Sequence, residues 1–137
     1  MPLELSKVDA AVDFPALVKC LFKAYDDPMQ SFIDVYLAPR EDHEKRVKEA
    51  ADRFADWHAH DPSSYWQKVV DTETGQIVGG ALWSIHHDNP FAEPQDVEVT
   101  WFSDEGSRKF AGEFLQQFHT PRALVGQRPQ VCTLHPR

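Results

Sequence analysis

The chain has 137 residues, 42% hydrophobic and 12% aromatic, the composition of one globular domain able to bury its own core. Its 14 basic and 22 acidic residues give a formal net charge of −8, which argues against a nucleic-acid partner, since phosphate binding needs clustered Lys and Arg. No apolar run approaches the roughly 20 residues that span a bilayer, and the N-terminus lacks the apolar core of a signal peptide, so the expected protein is soluble and cytoplasmic with no membrane association.

Leu3 to Val8 begins with apolar and polar residues in alternation and reads as a short strand with one face inward. Asp13 is placed to cap the next helix, with Pro15 in the first turn where a missing N–H does no harm. Phe14, Leu17, Val18, Leu21, Phe22 and Tyr25 then follow at the spacing of one buried helical face, up to Asp26-Asp27-Pro28. Cys20 lies on the apolar side of this helix, where a buried, inert thiol is expected. A disulfide to the other cysteine, Cys132, has little support, and a reducing compartment is the better fit.

Phe32 to Leu37 reads as a short helix ended by Pro39. From Asp42 to about His60 the composition is strongly helical, with Val47, Ala50, Ala51, Phe54, Ala55 and His58 along one side and solvated charge on the other. Tyr65–Asp71 and Ile77–Ile85 read as antiparallel strands whose turn uses Gly75 for a positive φ. Gly79-Gly80 inside the second strand suggests a bulge or a close backbone approach. Val97, Val99 and Trp101 fit a short extended piece, Ser107–Phe118 a helix, and Val131–Leu134 a final strand.

Chemistry-bearing residues are few. His86, His87 and Asp88 form the densest titratable cluster, at the end of a strand. They read either as a solvated strand end or as catalytic groups, and alternation lets only one His share a face with Leu82 and Ser84. Asp96 and Glu98 alternate with Val97, Val99 and Trp101; they are either an exposed face or carboxylates lining a pocket roofed by Trp101 and Phe102. Tyr65, Trp66 and Trp83 read as core or interface aromatics, or as a platform for a flat apolar substrate. His58 and His60 sit two apart on a helix and do not readily chelate one ion, so no metal is expected. No nucleophile elbow and no Gly-rich phosphate loop occurs, so nothing marks a cofactor.

The order strand, helix, broken helix, long helix and β-hairpin resembles the first half of the GNAT acetyltransferases, most closely a fungal branch. The likeness rests on Asp13-Phe14-Pro15-Ala16-Leu17-Val18 for the first helix and on the hairpin from Val69 to Gly79, which contains Asp71-Thr72-Glu73-Thr74-Gly75. It rests also on Gly126-Gln127-Arg128-Pro129 followed by His135-Pro136. The resemblance implies an α/β (α+β) fold, a mainly antiparallel sheet with helices packed on it, as a single domain over residues 1–137. In the family, a Gly-rich loop at a helix N-terminus then binds the coenzyme pyrophosphate. Here Arg137 comes first, and a chain lacking that C-terminal half is expected to have lost acetyl-CoA-dependent transfer.

Three functions follow in order. The first is a cofactor-independent small-molecule enzyme working by acid–base or shape catalysis, of cyclase, isomerase or lyase type, as in fungal secondary metabolism. Its catalytic residues would be His86, His87, Asp88 and Glu98, and its substrate-binding residues Tyr65, Trp66, Trp83, Trp101 and Phe102. The second is an N-acetyltransferase seen as a truncated chain, and the third a non-catalytic binding or interaction module. A strand edge at Val131 and Cys132, together with a heavy aromatic load, leads to the expectation of a homodimer.

Overall fold

The computed structural model describes residues 2–37, 42–90, 97–125 and 130–134, the side chains of 122–125 and 130–134 apart. Its elements follow in the order β1 (Leu3–Lys7), α1 (Phe14–Asp26), α2 (Ser31–Tyr36), α3 (His43–His60), β2 (Ser64–Asp71), β3 (Gln76–His86), α4 (Glu105–Val125) and β4 (Gln130–Leu134). All strand pairs are antiparallel and lie in the sheet in chain order, β1-β2-β3-β4. The fold is α+β, as the sequence pattern implied.

The apolar stripe of α1 explains where the core sits. Phe14, Leu17, Val18 and Phe22 are buried together with Val47, Ala50, Ala51 and Phe54 of α3 and Trp66 of β2. Ile77 and Leu82 of β3 pack against the same cluster, so α1 and α3 cover one face of the sheet. The opposite face leaves Leu3, Leu5, Tyr65 and Ile85 exposed. Asp13 departs from the expected cap: its side chain bonds no N–H of α1. Its carboxylate instead accepts the Asp9 N–H at 2.6 Å and pairs with Lys68 of β2, fastening the start of α1 to the sheet. Asp42 does cap α3, accepting the Lys45 N–H at 3.0 Å.

The β2–β3 turn is built by Asp71, only 6% exposed, whose carboxylate accepts the Glu73 N–H and the Thr74 hydroxyl, each at 3.0 Å. Gly75 has φ 71°, the left-handed backbone that favours glycine. Beyond it, Val69 faces Gly79 while Val70 faces Ile77, which leaves Val78 as the extra residue of a bulge. Gly80 supplies the close approach: a Cβ there would stand 2.3 Å from Leu17 Cδ1. Both readings of the glycine pair hold at once.

Val99 and Trp101 are buried and Glu98 and Thr100 exposed in the expected alternation, though the segment pairs with no strand among the described residues. One expectation at the C-terminal side needs correction. The helix begins at Glu105 and continues past Phe118 through Pro121 to Val125. Its start is held by Asp104, which accepts the Ser107 N–H at 2.7 Å; this bond pulls the carboxyl below its ordinary value. Ala111 and Leu115 pack on Val99 and Trp101 as a second, smaller core. Among the described residues no helix is long and apolar enough to cross a membrane.

Candidate functional site

β4 pairs with β3 only from Leu82 to His86. The edge of β3 from Gln76 to Ala81 therefore has no strand beside it among the described residues, and an apolar groove of about 670 Å³ runs along it. One wall is the α1 stripe Leu17, Cys20, Leu21, Ala24 and Tyr25, and the next is Phe32, Ile33 and Tyr36 of α2. The floor is β3 from Val78 to Trp83, and Phe118 of α4 stands at the side. Because the groove passes the sheet edge, it takes lining from both faces: Leu17 and Leu82 from the helix-covered face, Leu5 and Val69 from the other.

The bulge and the glycines shape this floor. Gly79 and Gly80 put no side chain into the groove, and the fit of Leu17 against Gly80 lets α1 close on the strand. Aromatic rings crowd the α2 side, where Phe32 stacks on Tyr36 at 5.4 Å and meets Phe118 at 5.1 Å. The polar atoms are few, as in small-molecule sites generally. Cys20 is a free thiol that burial pushes up from its ordinary pKa, against the opposing pull of Lys23. Burial likewise raises the Tyr25 phenol. Neither Cys20 nor Tyr25 makes a side-chain hydrogen bond among the described residues. The Trp83 indole N–H is sealed from solvent without a partner there.

Of the residues singled out from sequence, Trp66 and Trp83 line this groove. Trp66 is anchored in the core, edge-on to Phe14 at 5.3 Å and tilted on Phe54 at 5.1 Å. Tyr65 lies on the open face, 41% exposed, with the Lys7 ammonium 5.9 Å above its ring. Trp101 and Phe102 line a separate polar depression of about 570 Å³ between α3 and the start of α4. There the Trp101 Nε1–H donates to Val35 O at 2.9 Å, and the Arg53 guanidinium stacks 4.7 Å over the indole. Burial lowers the pKa of Arg53, with Glu49 acting the other way.

His86, His87, Asp88 and Glu98 line neither hollow. His86 is half-buried opposite Gln130, on the strand face it shares with Leu82 and Ser84; His87, Asp88 and Glu98 are exposed. Asp96 lies outside the described residues, as do Gly126–Pro129 and His135-Pro136. His58 bonds Ser64 Oγ at 2.8 Å and packs edge-on to Phe14, while His60 bonds Asp56. No cluster of three or more metal-ligating side chains gathers among the described residues.

Sequence reasoning missed Arg46. A basic residue outside the apolar side given for α3, it is nevertheless 3% exposed and lies 3.7 Å over the Phe22 ring. It pairs with Asp26 of α1 at 3.5 Å and Asp34 of α2 at 3.2 Å, so one side chain ties together the helices that wall the groove. The signal was its place four residues before Ala50 and eight before Phe54, on the buried stripe itself. Compared with models of protein families, with curated proteins and with solved structures, the chain matches none.

Proposed function

We propose that this chain binds an apolar small molecule in the groove beside β3 and acts on it by holding its shape, as a cyclase or isomerase does. The observation that carries the reading is the groove itself: about 670 Å³, walled by aliphatic and aromatic side chains, with only a few polar tips. Reactions of this type rearrange bonds within one bound molecule and gain rate chiefly from restricting its conformation. His86, His87, Asp88 and Glu98 stand away from the groove lining, which favours shape over acid–base catalysis. The order of elements and the antiparallel sheet agree with a relation to the GNAT fold. Among the described residues no Lys or Arg lines the groove, which offers a pyrophosphate-bearing coenzyme no cationic side chain from them. The protein is a homodimer in this reading, supported by the exposure of Phe110, Phe114 and Phe118.

The test is a melting series with uncharged polycyclic and polyene compounds and with acetyl-CoA. A ligand at a hundred times its dissociation constant adds about 2.7 kcal/mol, a clear shift in Tm. Apolar compounds are expected to raise Tm and acetyl-CoA to leave it unchanged. A shift with acetyl-CoA alone would reverse the reading.

A further inference from the structure

Beside the backbone groups of the open β3 edge, the described side chains of the groove are nearly all carbon, so a polar one among them selects the ligand strongly. Among the described residues five lining side chains have a polar atom: Cys20, Tyr25, Tyr36, Gln67 and Trp83. Trp83 Nε1 is sealed, and a ligand cannot reach it without moving the indole. Tyr36 is already stacked on Phe32 and engaged with its neighbours. A thiol such as Cys20 is a weak donor, and the Gln67 amide both donates and accepts, so neither sets a single requirement. Tyr25 differs from all of these. It closes the α1 stripe at the groove wall, is half-buried, and its hydroxyl has no hydrogen-bond partner among the described residues.

We infer that the ligand is an apolar molecule bearing a carbonyl oxygen, and that Tyr25 recognises it by donating its phenolic hydrogen to that oxygen. The inference rests on the groove reading above and adds to it the functional group of the ligand. A phenol in water must give up a hydration bond when an apolar molecule covers it. A carbonyl restores that bond, whereas a methylene leaves the donor unsatisfied. The phenol is neutral and donating at neutral pH, and burial moves its pKa further from that range. Hydrogen bonding to the oxygen draws electron density from a conjugated carbonyl, the polarisation that assists intramolecular cyclisation or double-bond migration in an enone.

A matched pair of probes separates the two levels of the reading. 2-Acetylnaphthalene and 2-ethylnaphthalene have nearly the same shape and differ by the carbonyl; each is titrated against bound N-phenyl-1-naphthylamine in the wild-type protein and in Tyr25→Phe. The wild type is expected to bind the ketone about 3- to 10-fold more tightly than the hydrocarbon. In Tyr25→Phe the two affinities become equal, with that of the hydrocarbon unchanged. Equal affinities in the wild type, or a ketone preference that survives in Tyr25→Phe, would overturn the assignment while leaving the groove intact as an apolar site. Displacement by neither probe would remove the groove reading and this inference with it. The ¹³C resonance of carbonyl-labelled 2-acetylnaphthalene gives a check independent of the variant. Bound to wild type it should move downfield from its value in hydrocarbon solvent, and an unmoved resonance refutes the hydrogen bond.

Discussion

Arg46→Ala should cost this fold more than any other exchange of a charged residue on α3. The side chain is 2% exposed, held between Asp26 and Asp34 and flat on the Phe22 ring. Breaking a buried ion pair by deleting one partner costs about 3–5 kcal/mol when the other charge stays buried. Here the carboxylates of Asp26 and Asp34 are 36% and 28% exposed, and water recovers part of their solvation. The expected loss is therefore about 3 kcal/mol, at the low end of that range. For a domain of this size it lowers Tm by about 10 °C. Arg46→Met keeps the alkyl stem over Phe22 and should lose only about 1–2 kcal/mol. Urea titrations of both variants, with Asp34→Asn made in each background, supply the double-mutant cycle. Asp34→Asn should weaken the wild type more than it weakens Arg46→Met. An Arg46→Ala variant within 0.5 kcal/mol of wild type, about the scatter of ordinary surface changes, would refute the clasp and return Arg46 to the solvated side of the helix.

Gly75→Ala meets no atom within 4 Å, so its whole effect is the φ of 71°; a loss of about 1 kcal/mol by chemical denaturation is expected. Stability should fall on the alkaline side. Cys20 and Tyr25 have folded pKa values raised by burial, so the unfolded chain releases its protons first, and stability declines as pH rises through the unfolded values of about 8.5 and 10. Below that window both groups are protonated in both states and contribute nothing, and Cys20→Ala with Tyr25→Phe should flatten the alkaline limb. Light scattering behind a sizing column should give twice the 15.7 kDa chain mass at micromolar concentration; a species that stays at the chain mass as concentration rises contradicts the dimer.

The elements could be read because they are local. The spacing of Phe14, Leu17, Val18 and Phe22 defines α1 without reference to the rest of the chain, and the turn at Gly75 follows from four or five residues. At α4 the expected helix over Ser107–Phe118 covers only its apolar residues, whereas the helix itself runs from Glu105 through Pro121 to Val125. Arg46 was misread because charge is taken as a mark of solvent; only its pairing with two helices remote in sequence shows otherwise. The groove was the least legible feature. Among the described residues β4 pairs with β3 no further than Leu82 while α1 runs on beside β3, a relation between three elements that no sequence window contains. Trp66 and Trp83 were singled out for their size and do line it, whereas Tyr25 and Cys20 looked like core.

The central claim is that the groove receives an apolar molecule, and its most direct test is a titration of N-phenyl-1-naphthylamine into the wild type and into Ala24→Trp. Ala24 is an exposed residue of α1 on the groove wall, so an indole there fills the groove without disturbing the buried core. Far-UV circular dichroism and Tm report whether the variant keeps its fold. The account predicts saturable fluorescence enhancement in the wild type and an affinity at least about tenfold weaker in a folded Ala24→Trp, a difference of roughly 1.4 kcal/mol. Equal affinity in the two folded proteins, or no saturable binding in the wild type, would contradict it.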